Sequence, residues 1–165
     1  MTSKPSSPVC YASEASDAYM GYADRDEILT ALNELLEAER AGARVALDSS
    51  KAKEPAGYSE LMQDVRGDEA HWCAMLTRHI RRLDGTPSRK TGAFRGKAMA
   101  IPEPLDRLSF LNRGQAWVVR KLEKLMPRIR DDALHAELKE MADRHRENII
   151  KAETFLASRH SPGVR

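Results

Sequence analysis

The stretch Asp26–Ser50, DEILTALNELLEAERAGARVALDSS, decides the fold, because its apolar residues recur with the spacing of an α-helix. One face of that helix carries Ile28, Leu32, Leu35, Glu39, Gly42 and Ala46. Glu39 therefore interrupts the apolar face at its centre. A buried carboxylate is costly unless an opposite charge, hydrogen bonds or a metal ion compensates it. The stretch thus indicates a helical fold with a polar site inside it.

The composition of the chain favours one helical domain. The chain has 165 residues, of which only 5% are aromatic, and Ala, Leu, Glu, Arg and Lys are abundant. Its two cysteines, Cys10 and Cys73, form no CxxC motif, which excludes a disulfide scaffold and a zinc ribbon. No apolar run approaches the roughly 20 residues of a membrane span, and the first residues lack an apolar signal core. We therefore expect a cytoplasmic protein without a membrane partner.

Periodicity and turn signals predict four helices, at about residues 25–53, 59–83, 104–126 and 132–158. Asp24 and Glu27 have the spacing of a capping box at the start of the first helix. Short links join the first helix to the second and the third to the fourth, which predicts two antiparallel hairpins. The link of roughly 18 residues at 86–103 is too irregular for a core helix, but it is long enough to return the chain along the bundle.

This arrangement predicts an all-α protein, a four-helix bundle at residues 24–158. Residues 1–23 begin with Ser and Pro and carry three of the four tyrosines, Tyr11, Tyr19 and Tyr22. We expect them to form either a disordered tail or an arm that docks its rings on the bundle. Residues 159–165 are expected to be a C-terminal tail.

Each of the four apolar faces contains a polar residue near its middle. When each hairpin is folded back about its link, these residues fall within roughly one helical turn of each other in height. The predicted polar layer contains Glu39, Asp68, His71 and His145, together with Asn112, Arg113 or Gln115 from the third helix. Glu69 is left out of this layer, because it lies about 160° around the second helix from His71.

Two physical solutions would stabilise such a layer. In the first, a divalent cation is neutralised by the two carboxylates and also bound by the imidazoles; iron and manganese suit these ligand types. In the second, no metal is bound, and protonated histidines pair with the carboxylates in a closed hydrogen-bond network. The residues alone leave both solutions open.

Three short motifs resemble those of the ferritin-like superfamily, in the style of bacterioferritin and rubrerythrin, over about residues 26–157, and the motif of the third helix has no match. LLEAE (Leu35–Glu39) looks like the glutamate motif of that family's first helix, and DEAH (Asp68–His71) looks like its Glu-x-x-His with an aspartate substituted. FLNRGQAW (Phe110–Trp117) stands where the third helix of the family has a glutamate, and ADRH (Ala142–His145) keeps only the histidine of the second Glu-x-x-His.

The resemblance implies a ferritin-like four-helix bundle with a degenerate di-iron site. In the family, four carboxylates and two histidines hold the two metal ions. Here the resemblance carries over Glu39, Asp68, His71 and His145 as ligands. It therefore implies at most one iron or manganese ion and, if the protein is an enzyme, redox or oxygen-related chemistry. The alternative function is a metal-free interaction or structural module, whose polar layer fixes the register of the helices.

Two surface features suggest partners. Residues 78–97 carry seven basic residues and one acid, a local charge of +6 against +2 for the whole chain, which suits an acidic partner or nucleic acid but more often marks a solvated surface. The basic residues are Arg78, Arg81, Arg82, Arg89, Lys90, Arg95 and Lys97. Phe110 and Trp117 face away from the apolar stripe of the third helix. Either the crossover or the N-terminal arm covers them, or they form a homodimer interface.

Overall fold

The computed structural model of the chain describes residues 16–53 and 55–160, which form helices and no strand. Tyr11, Cys10 and the other residues of the predicted arm before residue 16 lie outside the described residues, as do residues 161–165 of the predicted tail. The helices are α1 (Arg25–Ser49), α2 (Tyr58–Arg82), α3 (Phe94–Met99), α4 (Pro104–Leu125) and α5 (Asp132–His160), with a 3₁₀ turn at Met126–Arg128. Within the described residues, no helix has both the length and the apolar character needed to cross a membrane.

The predicted capping box begins α1. The Asp24 side chain accepts a hydrogen bond of 2.8 Å from the backbone N–H of Glu27, and the Glu27 carboxylate accepts one of 3.0 Å from the backbone N–H of Asp24. The helix ends at Ser49, four residues before the predicted end. In the short link to α2, the Ser59 hydroxyl donates to the Ser50 carbonyl at 2.6 Å. At the start of α1, the capping box pairs the backbone N–H groups of Asp24 and Glu27.

Contacts between helix ends show how the helices run. Arg25 at the start of α1 donates to the carbonyls of Leu83 and Asp84 just after α2, so these two helices are antiparallel. Arg128 after α4 pairs with Glu27 near the start of α1, and Arg82 at the end of α2 pairs with Asp131 before α5. Consequently α1 packs against α2 and α4. Helix α5 also packs against α2 and α4, on the side of the bundle opposite to α1.

The crossover between α2 and α4 follows α1 from one end of the bundle to the other. The Asn33 side chain accepts from the Ser88 backbone N–H at 2.7 Å, and Arg95 pairs with Asp48 at 2.7 Å. Residues 86–103 add no long core helix to the bundle, but they contain one short helix that the sequence did not predict. The six residues of α3 form a helix there, because Ala98 is fully buried against the bundle and anchors one turn of the crossover.

The core consists of two apolar clusters separated by a polar layer. One cluster surrounds Leu35, Leu76, Leu122 and Leu138. The other lies toward the opposite end of the helices and includes Tyr58. Along each of α1, α2, α4 and α5, buried polar residues stand between the two sets. A polar layer at a common depth therefore exists, as the four interrupted stripes predicted.

Candidate functional site

Six buried polar side chains make up the layer between the apolar clusters. Each long helix contributes at least one, and they are Glu39 from α1, Glu69 from α2, Asn112 and Gln115 from α4, and His145 and Asn148 from α5. Glu39 and His145 are each 1% exposed, and Glu69 and Gln115 are each 3% exposed. Groups of this type are rarely buried so completely unless they are paired or bind something.

A hydrogen bond crosses the bundle between Glu39 and His145. The distance from Glu39 Oε1 to His145 Nε2 is 3.1 Å, and His145 Nδ1 lies 2.9 Å from the Met141 carbonyl oxygen. Both ring nitrogens thus face acceptors, which favours the doubly protonated imidazolium. Burial by itself lowers the pKa of His145, but the charge of Glu39 and its hydrogen bond raise that pKa above the ordinary value. The two groups form a buried ion pair.

Glu69, which the sequence prediction left out, is the second buried carboxyl group of the layer. Its carboxyl lies directly against α1 at Gly42, where a Cβ atom would come within 2.1 Å of Glu69 Oε2. Burial, followed by the charges of Glu39 and Asp68, raises the pKa of Glu69 well above its usual range. Gly42 therefore supplies the space that lets this carboxyl group sit between α1 and α2.

The predicted positions of Asp68 and His71 inside the layer were wrong. Asp68 is half-buried and accepts a hydrogen bond of 2.9 Å from the Asn148 amide, and His71 is exposed, with its ring edge-on to Trp72. The buried face of α2 instead consists of Tyr58, Met62, Val65, Glu69, Trp72, Met75, Leu76, His79 and Ile80. Either residue 68 or residue 69 fits between Val65 and Trp72 on a helix, and the motif favoured the wrong one. The glycine at position 42 was the signal that identifies Glu69.

On α4, the structure places two of the three predicted polar residues in the layer. Asn112 and Gln115 are buried, and the Asn112 amide donates a weak hydrogen bond of 3.4 Å to the Ile149 carbonyl. Arg113 is exposed, so its predicted place in the layer was wrong. Its guanidinium lies 5.5 Å from the centre of the Phe110 ring, because position 113 faces outward when 112 and 115 face inward.

A cavity leads from the surface between α1 and α4 to the polar layer. Its volume is about 560 Å³, and Glu39, Glu69, Gln115 and His145 line its inner end. Three oxygen atoms of these side chains are fully buried and have no hydrogen-bond partner among the described residues. They are Glu39 Oε2, Glu69 Oε2 and Gln115 Oε1. Unpaired buried acceptors cost free energy, so these three oxygen atoms mark the inner end of the cavity as a candidate binding site.

The aromatic residues of α4 border the outer part of this cavity. Phe110 is covered by the crossover, since its ring stacks on Phe94 of α3 with centroids 4.9 Å apart. Trp117 stays 42% exposed, with the Lys121 ammonium 5.3 Å from its ring centre. Both residues line the cavity. The crossover thus covers one ring and leaves the other at the entrance.

The seven basic residues of segment 78–97 do not lie together. Arg78 pairs with Glu137, and Arg82 pairs with Asp131 at 2.9 Å, both near the start of α5. Arg95 pairs with Asp48 near the far end of α1, at 2.7 Å. The crossover therefore distributes this charge along the bundle, and three of the seven side chains are neutralised by acids. Arg81, Arg89, Lys90 and Lys97 complete the set.

A comparison of the sequence with family models shows where the protein belongs. The model of a domain of unknown function, DUF6306, matches residues 26–154. The chain belongs to the DUF6306 family. The match covers the bundle from the start of α1 into the last turns of α5. A comparison with curated proteins found no match.

A solved structure shows the fold of this DUF6306 protein independently. The crystal structure of ferritin like, diiron-carboxylate proteins from Bacillus anthracis str. Ames has a TM-score of 0.60 to this structure and 14% sequence identity. The similarity covers 81% of this chain and 93% of the other. The prediction of an all-α, ferritin-like four-helix bundle is therefore confirmed.

The buried polar side chains of this layer do not fit a di-iron centre. Ala142 stands where the family resemblance requires a second glutamate, and Asn112 and Gln115 supply neutral amides where it requires a carboxylate. In residues 16–53 and 55–160, no group of three or more His, Cys, Asp or Glu side chains is already arranged to hold a metal ion. Two buried carboxyl groups and one imidazole are the donors that remain, and their charge suits one divalent ion.

Proposed function

We propose that this ferritin-like protein binds one divalent metal ion, iron or manganese, through Glu39, Glu69 and His145, and uses it in redox or oxygen-related chemistry. The observation that carries the proposal is the pair of buried carboxyl oxygens, Glu39 Oε2 and Glu69 Oε2, that line one cavity end without a partner. The structural neighbour, which is described as a ferritin-like, diiron-carboxylate protein, supports the choice of iron.

Charge balance favours a divalent ion at this position. Two ionised carboxylates would neutralise it, and a neutral imidazole binds such ions well. The ion would take the place of the proton on His145 Nε2, so binding would release protons. The Met141 carbonyl, which accepts from His145 Nδ1, would keep the ring oriented, as such partners do in known metal sites. A bound iron or manganese ion would supply one-electron chemistry.

The surrounding side chains would control what reaches the ion. The cavity between α1 and α4 is a route from the surface to Glu39 and Glu69. On the opposite side, Trp72 is buried between the layer and the surface at His71. Small molecules such as oxygen would therefore arrive from the α1–α4 side, past Trp117.

A matched pair of variants on α2 tests the proposed ligands. Protein expressed in medium supplemented with iron and manganese is expected to contain about one ion per chain by elemental analysis. Glu69→Gln removes the charge of the buried carboxyl group and should abolish metal binding. Asp68→Asn makes the same chemical change one residue away, at a half-buried position, and should leave the metal content unchanged. Metal that is lost in Asp68→Asn but kept in Glu69→Gln would contradict the proposed ligands.

A second candidate function is a metal-free bundle whose polar layer fixes helix register. The 3.1 Å hydrogen bond between Glu39 and His145 favours it, because that bond pairs the carboxylate with the imidazole without a metal. In this case, chelators would not change the stability of the wild-type protein. Glu39→Gln would also be tolerated better than Glu39→Leu, since the amide keeps part of the hydrogen bonding. Equal or greater stability of the leucine variant would argue against this candidate.

A further inference from the structure

We infer that the cavity between α1 and α4 binds a small, uncharged aromatic molecule that carries one hydrogen-bond donor, as phenols and aromatic amines do. The inference rests on the proposed function in one respect, because the ligand would share the inner end of the cavity with the proposed metal site. It follows from the size of the cavity, the chemistry of its walls and the unpaired acceptor on Gln115.

The cavity is much larger than a metal site requires. Its volume of about 560 Å³ lies within the range of about 300–1,000 Å³ that is typical of small-molecule sites. A water molecule occupies about 30 Å³ of liquid, so an ion with one or two waters would leave most of this space open. The outer part of the cavity therefore has room for an organic molecule.

The walls of the outer part are apolar and largely aromatic. Phe94 and Phe110 form a stacked pair with an interplanar angle of 19°, and Leu111, Val118 and Trp117 complete the apolar surface on α4. Flat rings pack well on aromatic faces and edges, with a contribution beyond the area that they bury. These walls select an aromatic body.

The inner end of the cavity selects the polar group of the ligand. Glu39 Oε2 and Gln115 Oε1 are oxygen atoms without a partner, so they require hydrogen-bond donors. A ligand with an anionic head would bring its charge toward two buried carboxyl groups, which is strongly unfavourable. A hydroxyl or amino group on the ring meets the requirement.

Gln115 is the residue that discriminates between ligands in this proposal. Its side chain is 3% exposed, and its Oε1 atom lines the cavity without a partner. It is not one of the three proposed metal ligands, so this acceptor stays available whether or not a metal is bound. A ligand that lacks a donor would leave the Gln115 oxygen unpaired and bind more weakly.

The entrance does not select for charge. Two acids, Glu34 and Glu37, and two bases, Arg113 and Arg120, line the cavity near the surface, and their formal charges cancel. An uncharged molecule can therefore enter without electrostatic steering.

The packing of α3 on α4 keeps the Phe94 ring at the cavity wall, since a Cβ atom at Gly114 would come within 2.7 Å of Phe94 Cζ.

The test uses three fluorinated probes of similar size, observed by fluorine NMR with the full-length chain. 4-Fluorophenol has a donor, 4-fluorotoluene has none, and 4-fluorobenzoate is anionic. In chelator-treated protein, we expect 4-fluorophenol to bind saturably and 4-fluorotoluene to bind about five-fold more weakly, the worth of one hydrogen bond. 4-Fluorobenzoate is expected to bind at least about ten-fold more weakly than the phenol. Benzoate binding as tight as phenol binding would overturn the proposal.

Three variants test the location of the binding site and the role of Gln115. Ala93→Trp narrows the cavity at an exposed residue and should weaken all ring binding, whereas Ala100→Trp, exposed at the other end of α3, should not. Gln115→Leu should lower the affinity for 4-fluorophenol about five-fold and leave 4-fluorotoluene within about two-fold. A merely structural role of Gln115 would weaken both probes equally, and that result would contradict the assignment.

The fate of this inference is separable from that of the metal proposal. Phenol binding in a protein that takes up no metal would support the inference and reject the proposed metal site. Stoichiometric metal in a protein that shows no saturable phenol binding would do the reverse. Elemental analysis of Gln115→Leu links the two, because its metal content should equal that of the wild type.

Discussion

The polar layer approaches the surface on two opposite flanks of the bundle, and the two flanks differ in how their polar groups are satisfied. On the α2–α5 flank, Asp68 accepts a hydrogen bond from Asn148 and lies 3.9 Å from the Arg144 guanidinium. On the α1–α4 flank, Glu39 and Glu69 keep buried oxygens without partners at the end of a cavity. The partnered carboxylate of Asp68 contributes to packing and solubility, whereas the unpartnered buried oxygens of Glu39 and Glu69 mark a candidate binding site.

The largest expected difference between the flanks is in stability. Glu39→Ala leaves the buried His145 without its partner and is expected to destabilise the fold by about 3 kcal/mol. Asp68→Ala removes a half-buried carboxylate and should cost about 1 kcal/mol or less. Urea unfolding of both variants in chelator at neutral pH measures the difference. Similar losses in the two variants would show that the flanks are energetically equivalent and would contradict the comparison.

Replacement of two helical glycines by alanine compares a crowded position at the polar layer with an open position on the surface of α2. Gly42→Ala brings a Cβ atom into the Glu69 carboxyl, and we expect a loss of about 2 kcal/mol despite the better helix propensity of alanine. Gly67 lies in α2 with nothing within 4 Å of its would-be Cβ, so Gly67→Ala should stabilise by about 0.5–1 kcal/mol. Thermal unfolding of both variants gives the answer. A stabilised Gly42→Ala would mean that Glu69 does not occupy this space.

The smallest expected effect is the pH dependence of the free energy of unfolding, which is measured as a change in stability per pH unit. Burial, followed by Glu39 and Asp68, raises the pKa of Glu69 well above 4.5. The protonated group therefore contributes stability that is complete below about pH 4.5 and is lost as the pH rises through the folded-state pKa. Relative to Glu69→Gln, chelator-treated wild type should lose up to about 1.4 kcal/mol of stability per pH unit as the pH rises above about 4.5.

The outcome that would contradict this assignment is a relative stability that rises over the same pH window. That sign would indicate a carboxyl group whose pKa is lowered by folding, as for a group paired with a cation. Asp68→Asn should make the slope smaller, because the charge of Asp68 contributes to the raised pKa of Glu69.

Much of the fold was readable from the sequence because strong local signals agreed with each other. The capping box at Asp24 and Glu27, the proline at the start of α4 and the long link after α2 each fixed one element. The short helix α3 was not predictable, since tertiary contacts such as the burial of Ala98 and the stacking of Phe94 on Phe110 hold it. The topology depended on loop lengths, which do not require side-chain detail.

The candidate site was harder to predict from the sequence, because two neighbouring residues can fit the same position on the buried face of a helix. Glu39, Gln115 and His145 were correctly placed in the layer, since apolar neighbours on both sides fixed their phase. Asp68 and Glu69 fit the α2 periodicity equally well, and only the space left by Gly42 on α1 decides between them. Such a choice depends on contacts between helices, which no single segment encodes.

The most direct test of the central claim is the position of metal in crystals of the manganese-supplemented protein, determined by anomalous diffraction. The account predicts one peak per chain at the inner end of the α1–α4 cavity, bonded to Glu39, Glu69 and His145 within about 2.0–2.3 Å. A peak on the α2–α5 flank at Asp68 and His71, or an inner end that contains only water in metal-saturated crystals, would contradict it.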